Sequence, residues 1–160
     1  LVDEHNMAPD TGYPHDLTDL FGLEVLEFDQ LPPGEENHLT FKGTFPTSHP
    51  HPARLWCDII EPRECQVLAT YAKDFYTGQP AVTMNTFGLG KAIYIGFQSH
   101  QHFYGDLVSW LRQLCNLHPL LKVPENVEVA LREREDEKVF FLLNHQNSPV
   151  RLSFFKPVPA

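Results

Sequence analysis

An α/β domain followed by a small antiparallel β domain is the fold class that the sequence predicts. Three observations carry it. Between residues 23 and 97 the runs "LEVLEF", "LWCDII", "QVLATY", "PAVTMNT" and "KAIYIGF" have the alternating or compact apolar character of strands. From Gln101 to Leu117 apolar residues recur at helical spacing. From Asn126 the chain alternates at period two through successive short runs, as an antiparallel meander does.

The elements follow in order. Residues Asp3 to Tyr13 are polar and read as a loop with Pro9 and Gly12. Asp16 is placed to cap a short helix, "DLTDLF", and Gly22 to stop it in the left-handed conformation. "LEVLEF" is a half-buried strand, and "LPPGEEN" a loop because of its Pro-Pro-Gly. "HLTFKGTF" alternates again, with Leu39 and Phe41 on one face, and "PTSHPHPAR" is a second loop. "PAVTMNT" and "KAIYIGF", joined through "FGLG", form a hairpin. The five strand-like runs are expected to share a sheet. The helix packs on it through Phe103, Leu107, Trp110, Leu111 and Leu114, and His118-Pro119 ends the helix. "NVEVALRER", "KVFFLLNH" and "VRLSFF" are the three strands of the meander. The domains therefore run 1–121 and 122–160, with the boundary near Leu121 to Glu125.

Composition excludes several function classes. Hydrophobic residues make up 42% of the chain, enough for a packed core and too many for general disorder. The net charge is −9, whereas a nucleic-acid binder needs clustered cations, so no nucleic-acid partner is expected. No apolar run approaches the roughly 18 residues of a membrane span. No signal peptide stands out, and a chain opening on Leu1 reads as a piece of a longer protein. Cys57, Cys65 and Cys115 are an odd, sparse set with no CxxC, which fits free thiols in a cytoplasmic, reducing compartment.

Five constellations resemble chemistry, and each has a plainer reading. Gly88-Leu89-Gly90-Lys91 looks like a phosphate loop. However, Asn85 stands where the first glycine of that motif belongs and Ala92 where its magnesium-binding hydroxyl belongs. A β-type run follows instead of a helix, so these glycines make a turn, supplying positive φ or close backbone approach. None of the cysteines has the flanking glycines of a nucleophile elbow, so burial as small residues is expected for them. His49 and His51, and His100 and His102, are pairs two residues apart. Neither pair has a third local ligand, so no metal is expected. Asp3, Glu4, Glu24 and Glu27 form no dyad, and they read as solvated carboxylates. Trp56, Phe75, Tyr76 and Tyr104 could stack on a sugar, but core packing or an interface is the expected role. No catalytic residue and no cofactor is assigned.

Taken together, "LVDEHN", "GYPHDLTDLFGLEVLEFDQLP", "ATYAKDFYTGQPAVTMNTFGLGKAIYIG" and "VPENVEVALRE…VFFLLNHQNSPVRLSF" occur in an order that carries a resemblance. They resemble the C-terminal half of bacterial β-galactosidases of glycoside hydrolase family 42. The resemblance implies an N-terminal (β/α)8 barrel with two catalytic glutamates, absent from this chain. It implies next an incomplete flavodoxin-like domain, similar to class I glutamine amidotransferases but without their catalytic cysteine, that mediates trimerisation. A small β domain, present in part, would come last. The implied role is non-catalytic: homotrimer assembly, and walling the neighbouring subunit's active site, in an enzyme that cleaves terminal β-galactosides. β-Galactoside would reach the parent through the missing barrel. A half-domain would leave a sheet edge open. Two other readings stand beside this one: a stand-alone amidotransferase-like enzyme using one of the cysteines, and a sugar-binding module.

Overall fold

The computed structural model describes Met7, residues 12–43, Phe45 and residues 50–152. Among these residues the architecture is mostly antiparallel sheet with few helices. The chain divides into two compact units, Leu1–Gln113 and Leu114–Ala160.

The first unit opens with a 3₁₀ turn at His15–Leu17 that runs into helix α1, Thr18–Phe21. Asp16 does not cap it. The turn begins directly after Pro14, so Asp16 lies within the helical turn rather than ahead of it, and no side-chain cap bond forms. Gly22 ends α1 as expected, at φ 64° with its N–H on the Thr18 carbonyl at 2.7 Å. A side chain there would be strained twice, by the left-handed backbone and by the Asn85 amide 3.0 Å from its Cβ.

Among the described residues seven strands follow: β1 (Leu23–Gln30), β2 (Leu39–Phe41), β3 (Arg54–Pro62), β4 (Gln66–Tyr71), β5 (Pro80–Phe87), β6 (Gly90–Ile95) and β7 (Phe97–Gln98). They do not form one sheet. Strands β1-β3-β7 make one and β2-β4-β5-β6 another, and the strands pair antiparallel in both. A doubly wound flavodoxin-like sheet is parallel, and these pairings do not form one.

The division has a local cause at Gly96. Here the chain passes from β6 in one sheet to β7 in the other, a corner of the kind made where strands change sheets. The Gly96 carbonyl accepts from the Asp58 N–H at 2.6 Å and from the Tyr71 hydroxyl at 2.8 Å. A Cβ at this position would lie 3.0 Å from Ile60 Cδ1 and 3.2 Å from Asp58 Cβ, so these side chains would have to give by a few tenths of an ångström to admit any residue but glycine.

The hairpin between β5 and β6 forms as expected, with Phe87 opposite Gly90 and a two-residue loop, Gly88-Leu89. Gly88 takes φ 57° at the first central position, where a type II′ turn demands glycine. Gly90 takes no left-handed φ, and a Cβ there would meet only the Phe87 carbonyl, at 3.6 Å.

Helix α2 spans Gln101–Leu114, three residues shorter than expected at its end. Asn116 stops it at φ 51°, a conformation asparagine tolerates, and Leu117 is exposed. Its apolar face reaches the core through Phe103 and Trp110, both buried. Leu107, Leu111 and Leu114 are only half-buried. The Phe103 ring packs against Phe41 of β2 and Phe97 of β7, one strand from each sheet, with centroids 6.5 and 5.1 Å away.

In the second unit β8 (Val127–Arg134) and β9 (Glu137–Asn144) form a hairpin in continuous register from Val127↔Asn144 to Arg134↔Glu137. The expected third strand, "VRLSFF", is not a strand at Val150–Leu152, and the rest of it lies outside the described residues. No helix among the described residues is long and apolar enough to cross a membrane.

Candidate interaction surface

In β1 the apolar residues fall at Leu23 and Val25, then at Leu26 and Phe28. The alternation slips by one at Val25–Leu26, and the β1–β3 register shifts at that point. This is the signature of a bulge, in which one extra residue re-aims those that follow it. Beyond it Phe28 pairs with Asp58 and Gln30 with Trp56. Directly opposed pairs two residues apart share a face, so these four side chains project together. The Asp29↔Cys57 pair between them projects the other way, toward Tyr76 and Tyr71.

The Phe28–Trp56 face is open. It forms a concavity of about 1170 Å³ whose apolar lining includes Leu26, Phe28, Leu31, Leu55, Trp56 and Ile95. Phe28 is 70% exposed, Leu26 63%, Leu55 52% and Trp56 44%. Scattered exposed leucines need no explanation, but four large apolar side chains around one hollow do. Leu55 is also held at φ 65°, a region that costs a residue with a Cβ about 1–2 kcal/mol. Strain of this kind gathers at binding surfaces. The Leu55 carbonyl accepts from the Leu31 N–H at 2.8 Å, which fixes the strained residue at the rim.

Among the described residues the polar groups of the hollow are Glu27, Gln30, Asp58 and the hydroxyls of Tyr13 and Tyr94, with no cation among them. Asp58 is already engaged: it accepts from the Tyr94 hydroxyl at 2.8 Å. Burial pushes the Asp58 carboxyl up, and the Tyr94 hydrogen bond opposes this. A small-molecule pocket of about 300–1,000 Å³ carries a few convergent polar anchors. This hollow is wide, open and mainly apolar, which suits a protein surface better than a sugar.

The residues singled out in the sequence are dispersed. Cys57 is completely buried. Burial pushes its thiol up to about 11, against the opposing hydrogen bonds of Tyr76 and Tyr71, so it is no nucleophile at neutral pH. The Tyr76 hydroxyl donates to Asp29 at 2.9 Å, so Tyr76 is a core residue rather than a stacking platform. Cys65 is half-buried and Cys115 exposed.

The histidines do not converge either. His49 lies outside the described residues. His51 is buried among Phe41, Phe45 and Phe103, with Nε2 3.2 Å from the Asp106 carboxylate. His100 sits beside Glu36 and Arg54, with Nε2 3.3 Å from Glu36 and Nδ1 3.2 Å from Arg54 Nη1. His102 is exposed in the first turn of α2. Among the described residues no group of three His, Cys, Asp or Glu is placed to hold a metal ion. Glu24 pairs with Arg63, Glu27 is exposed and borders the hollow, and Asp3 and Glu4 lie outside the described residues. Of the aromatics, Trp56 joins the hollow, while Phe75 and Tyr104 are exposed elsewhere. Phe28 was not singled out, although the alternation slip at Val25–Leu26 was a signal that could have found it.

A β-rich unit presenting an apolar hollow is, in class, one built to pack against protein. The family model described as "Beta-galactosidase trimerisation domain" matches residues 1–118. β-Galactosidase BgaB of Geobacillus kaustophilus is 34% identical over 153 residues, covering 96% of this chain and 22% of that protein. The crystal structure of β-galactosidase from Bacillus circulans sp. alkalophilus matches with a TM-score of 0.75 at 30% identity, over 88% of this chain and 21% of the other. The β-galactosidase of Rahnella sp. R3 gives the same score and identity over 91% and 22%. The chain therefore belongs to the β-galactosidase trimerisation domain family, and it spans about a fifth of the length of the curated relatives it matches. Neither an amidotransferase nor a sugar-binding module finds support in these relationships.

Proposed function

We propose that this chain is the self-associating, non-catalytic segment of a β-galactosidase, assembling its subunits as a homotrimer. The observation that carries the reading is the open apolar face built by Leu26, Phe28, Leu55 and Trp56. The family description and the relatives' names supply the parent activity, hydrolysis of terminal β-galactosides. A retaining glycosidase needs two carboxyl groups about 5 Å apart across the sugar. In this reading both belong to other parts of the whole enzyme, and residues 1–160 hold no catalytic residue, cofactor or metal. The domains run 1–121 and 122–160, and the first completes an amidotransferase-like fold in the whole enzyme. The enzyme works in the cytoplasm, with no nucleic-acid or membrane partner.

Sedimentation velocity on the 160-residue chain tests the reading. A concentration-dependent species at three times the 18.4 kDa chain mass is expected, with no turnover of a chromogenic galactoside. A chain that stays monomeric at all concentrations, or that hydrolyses the galactoside, overturns it.

A further inference from the structure

The first unit carries a second exposed apolar feature, separate from the hollow. The β5–β6 hairpin ends in Phe87-Gly88-Leu89-Gly90, with Leu89 as exposed as a side chain can be and Phe87 53% exposed. The second central position of a Gly-first hairpin turn is ordinarily polar, with Asn, Asp or Ser. A leucine there gains nothing from its own fold. Lys91 follows, also exposed, so the tip is an apolar finger with a cation at its base.

This finger cannot fill its own hollow. Tyr94 and Ile95, which line the hollow, lie four and five residues along β6 from Gly90. At about 3.3 Å per residue the tip is roughly 13 Å or more from that rim. The finger and the hollow are thus two different patches, and they are complementary. One is apolar and convex with a lysine; the other is apolar and concave, bordered by the exposed Glu27 and with no cation among its described lining residues. Two distinct complementary patches on one chain make a heterologous contact, the type that closes a cyclic ring of three.

We propose that the Phe87–Leu89 finger of one copy inserts into the Phe28–Trp56 hollow of the next, with Lys91 set against Glu27, and that this head-to-tail contact closes the ring. The inference rests on the self-association proposed above.

The test uses two chains, Leu89→Cys and Gln30→Cys, each also carrying Cys65→Ser and Cys115→Ser so that the buried Cys57 is the one other thiol, mixed and oxidised. Docking would hold the two thiols at an effective concentration on the order of millimolar. At micromolar chain the 30–89 disulfide should therefore exceed either homodisulfide by roughly tenfold or more. A charge swap gives a second readout: Lys91→Glu should weaken association, and Glu27→Lys in the same chain should restore it. If the chain associates but the 30–89 disulfide is no more abundant than 30–30 or 89–89, the head-to-tail contact is wrong and self-association stands. If no associated species forms, both fall.

Discussion

Replacing Phe103 by alanine should do more damage than any other single truncation on α2. Its ring is completely buried and packs against Phe45 and His51 at 5.8 and 5.5 Å, as well as against Phe41 and Phe97. It thereby holds the helix to both sheets. Burying a side chain of this size contributes about 3 kcal/mol by transfer from water. The cavity left behind adds to this, so a fully enclosed Phe→Ala costs about 3–5 kcal/mol. Against a typical domain stability of about 5–15 kcal/mol, that is about a fifth or more. At about 4–8 °C per kcal/mol for a unit near this size, the melting transition should fall by more than about 12 °C. Thermal and urea unfolding followed by circular dichroism, at one fixed chain concentration, give the value. Trp110→Ala should cost nearly as much, because Trp110 is buried against Phe45 at 5.5 Å. Leu107→Ala should cost clearly less, because Leu107 is half-buried. A Phe103→Ala loss below about 1 kcal/mol, or a loss smaller than that of Leu107→Ala, would refute this account of how α2 is held.

The buried thiol makes stability depend on alkaline pH. The Cys57 pKa rises from 9.0 to about 11 on folding, so the folded state holds the proton more tightly. This contribution is whole below about pH 9 and is lost as pH rises through about 11; two pKa units correspond to about 3 kcal/mol. Tyr71, Tyr76 and Tyr94 are also pushed up by burial, and they add losses from about pH 10. Urea titrations should thus show Cys57→Ala insensitive to pH between about 9 and 10, where the unsubstituted chain weakens. Asn37 is buried and ties down the 72–73 turn: its amide donates to the Lys73 carbonyl at 2.9 Å and accepts from the Ala72 and Lys73 N–H groups at 3.3 and 3.0 Å. Asn37→Ala leaves the Lys73 N–H and carbonyl without this partner, while the Ala72 N–H keeps the His38 carbonyl at 2.9 Å, and it should cost about 2–3 kcal/mol by chemical denaturation.

Local features were legible in the sequence where one short-range rule acts alone. Gly22 ends α1 because a left-handed residue was needed, and Gly88 turns the β5–β6 hairpin for the same kind of reason. The runs that alternate or are compactly apolar between Leu23 and Asn144 contain the strands, whereas "VRLSFF" is not one at Val150–Leu152. The partition of those strands was not legible, because it depends on one glycine, Gly96, fitting between Ile60 and Asp58, and no periodicity records such an approach. Asp16 misled because a 3₁₀ turn starts ahead of α1, and Pro14, not the acid, stands at its entrance. The open face was legible only as the parity slip between Val25 and Leu26. Apolar residues on both sides of that slip read equally well as a strand buried on one face.

The central claim is that Phe28 and Trp56 are exposed in this chain because another copy covers them. Sedimentation equilibrium of the unsubstituted chain beside Phe28→Asp and Trp56→Asp tests it most directly. Each aromatic at the centre of an interface should be worth about 2 kcal/mol or more, so each substitution should weaken association by roughly 30-fold or more while leaving the circular dichroism spectrum unchanged. Association as tight in both variants as in the unsubstituted chain would contradict the account.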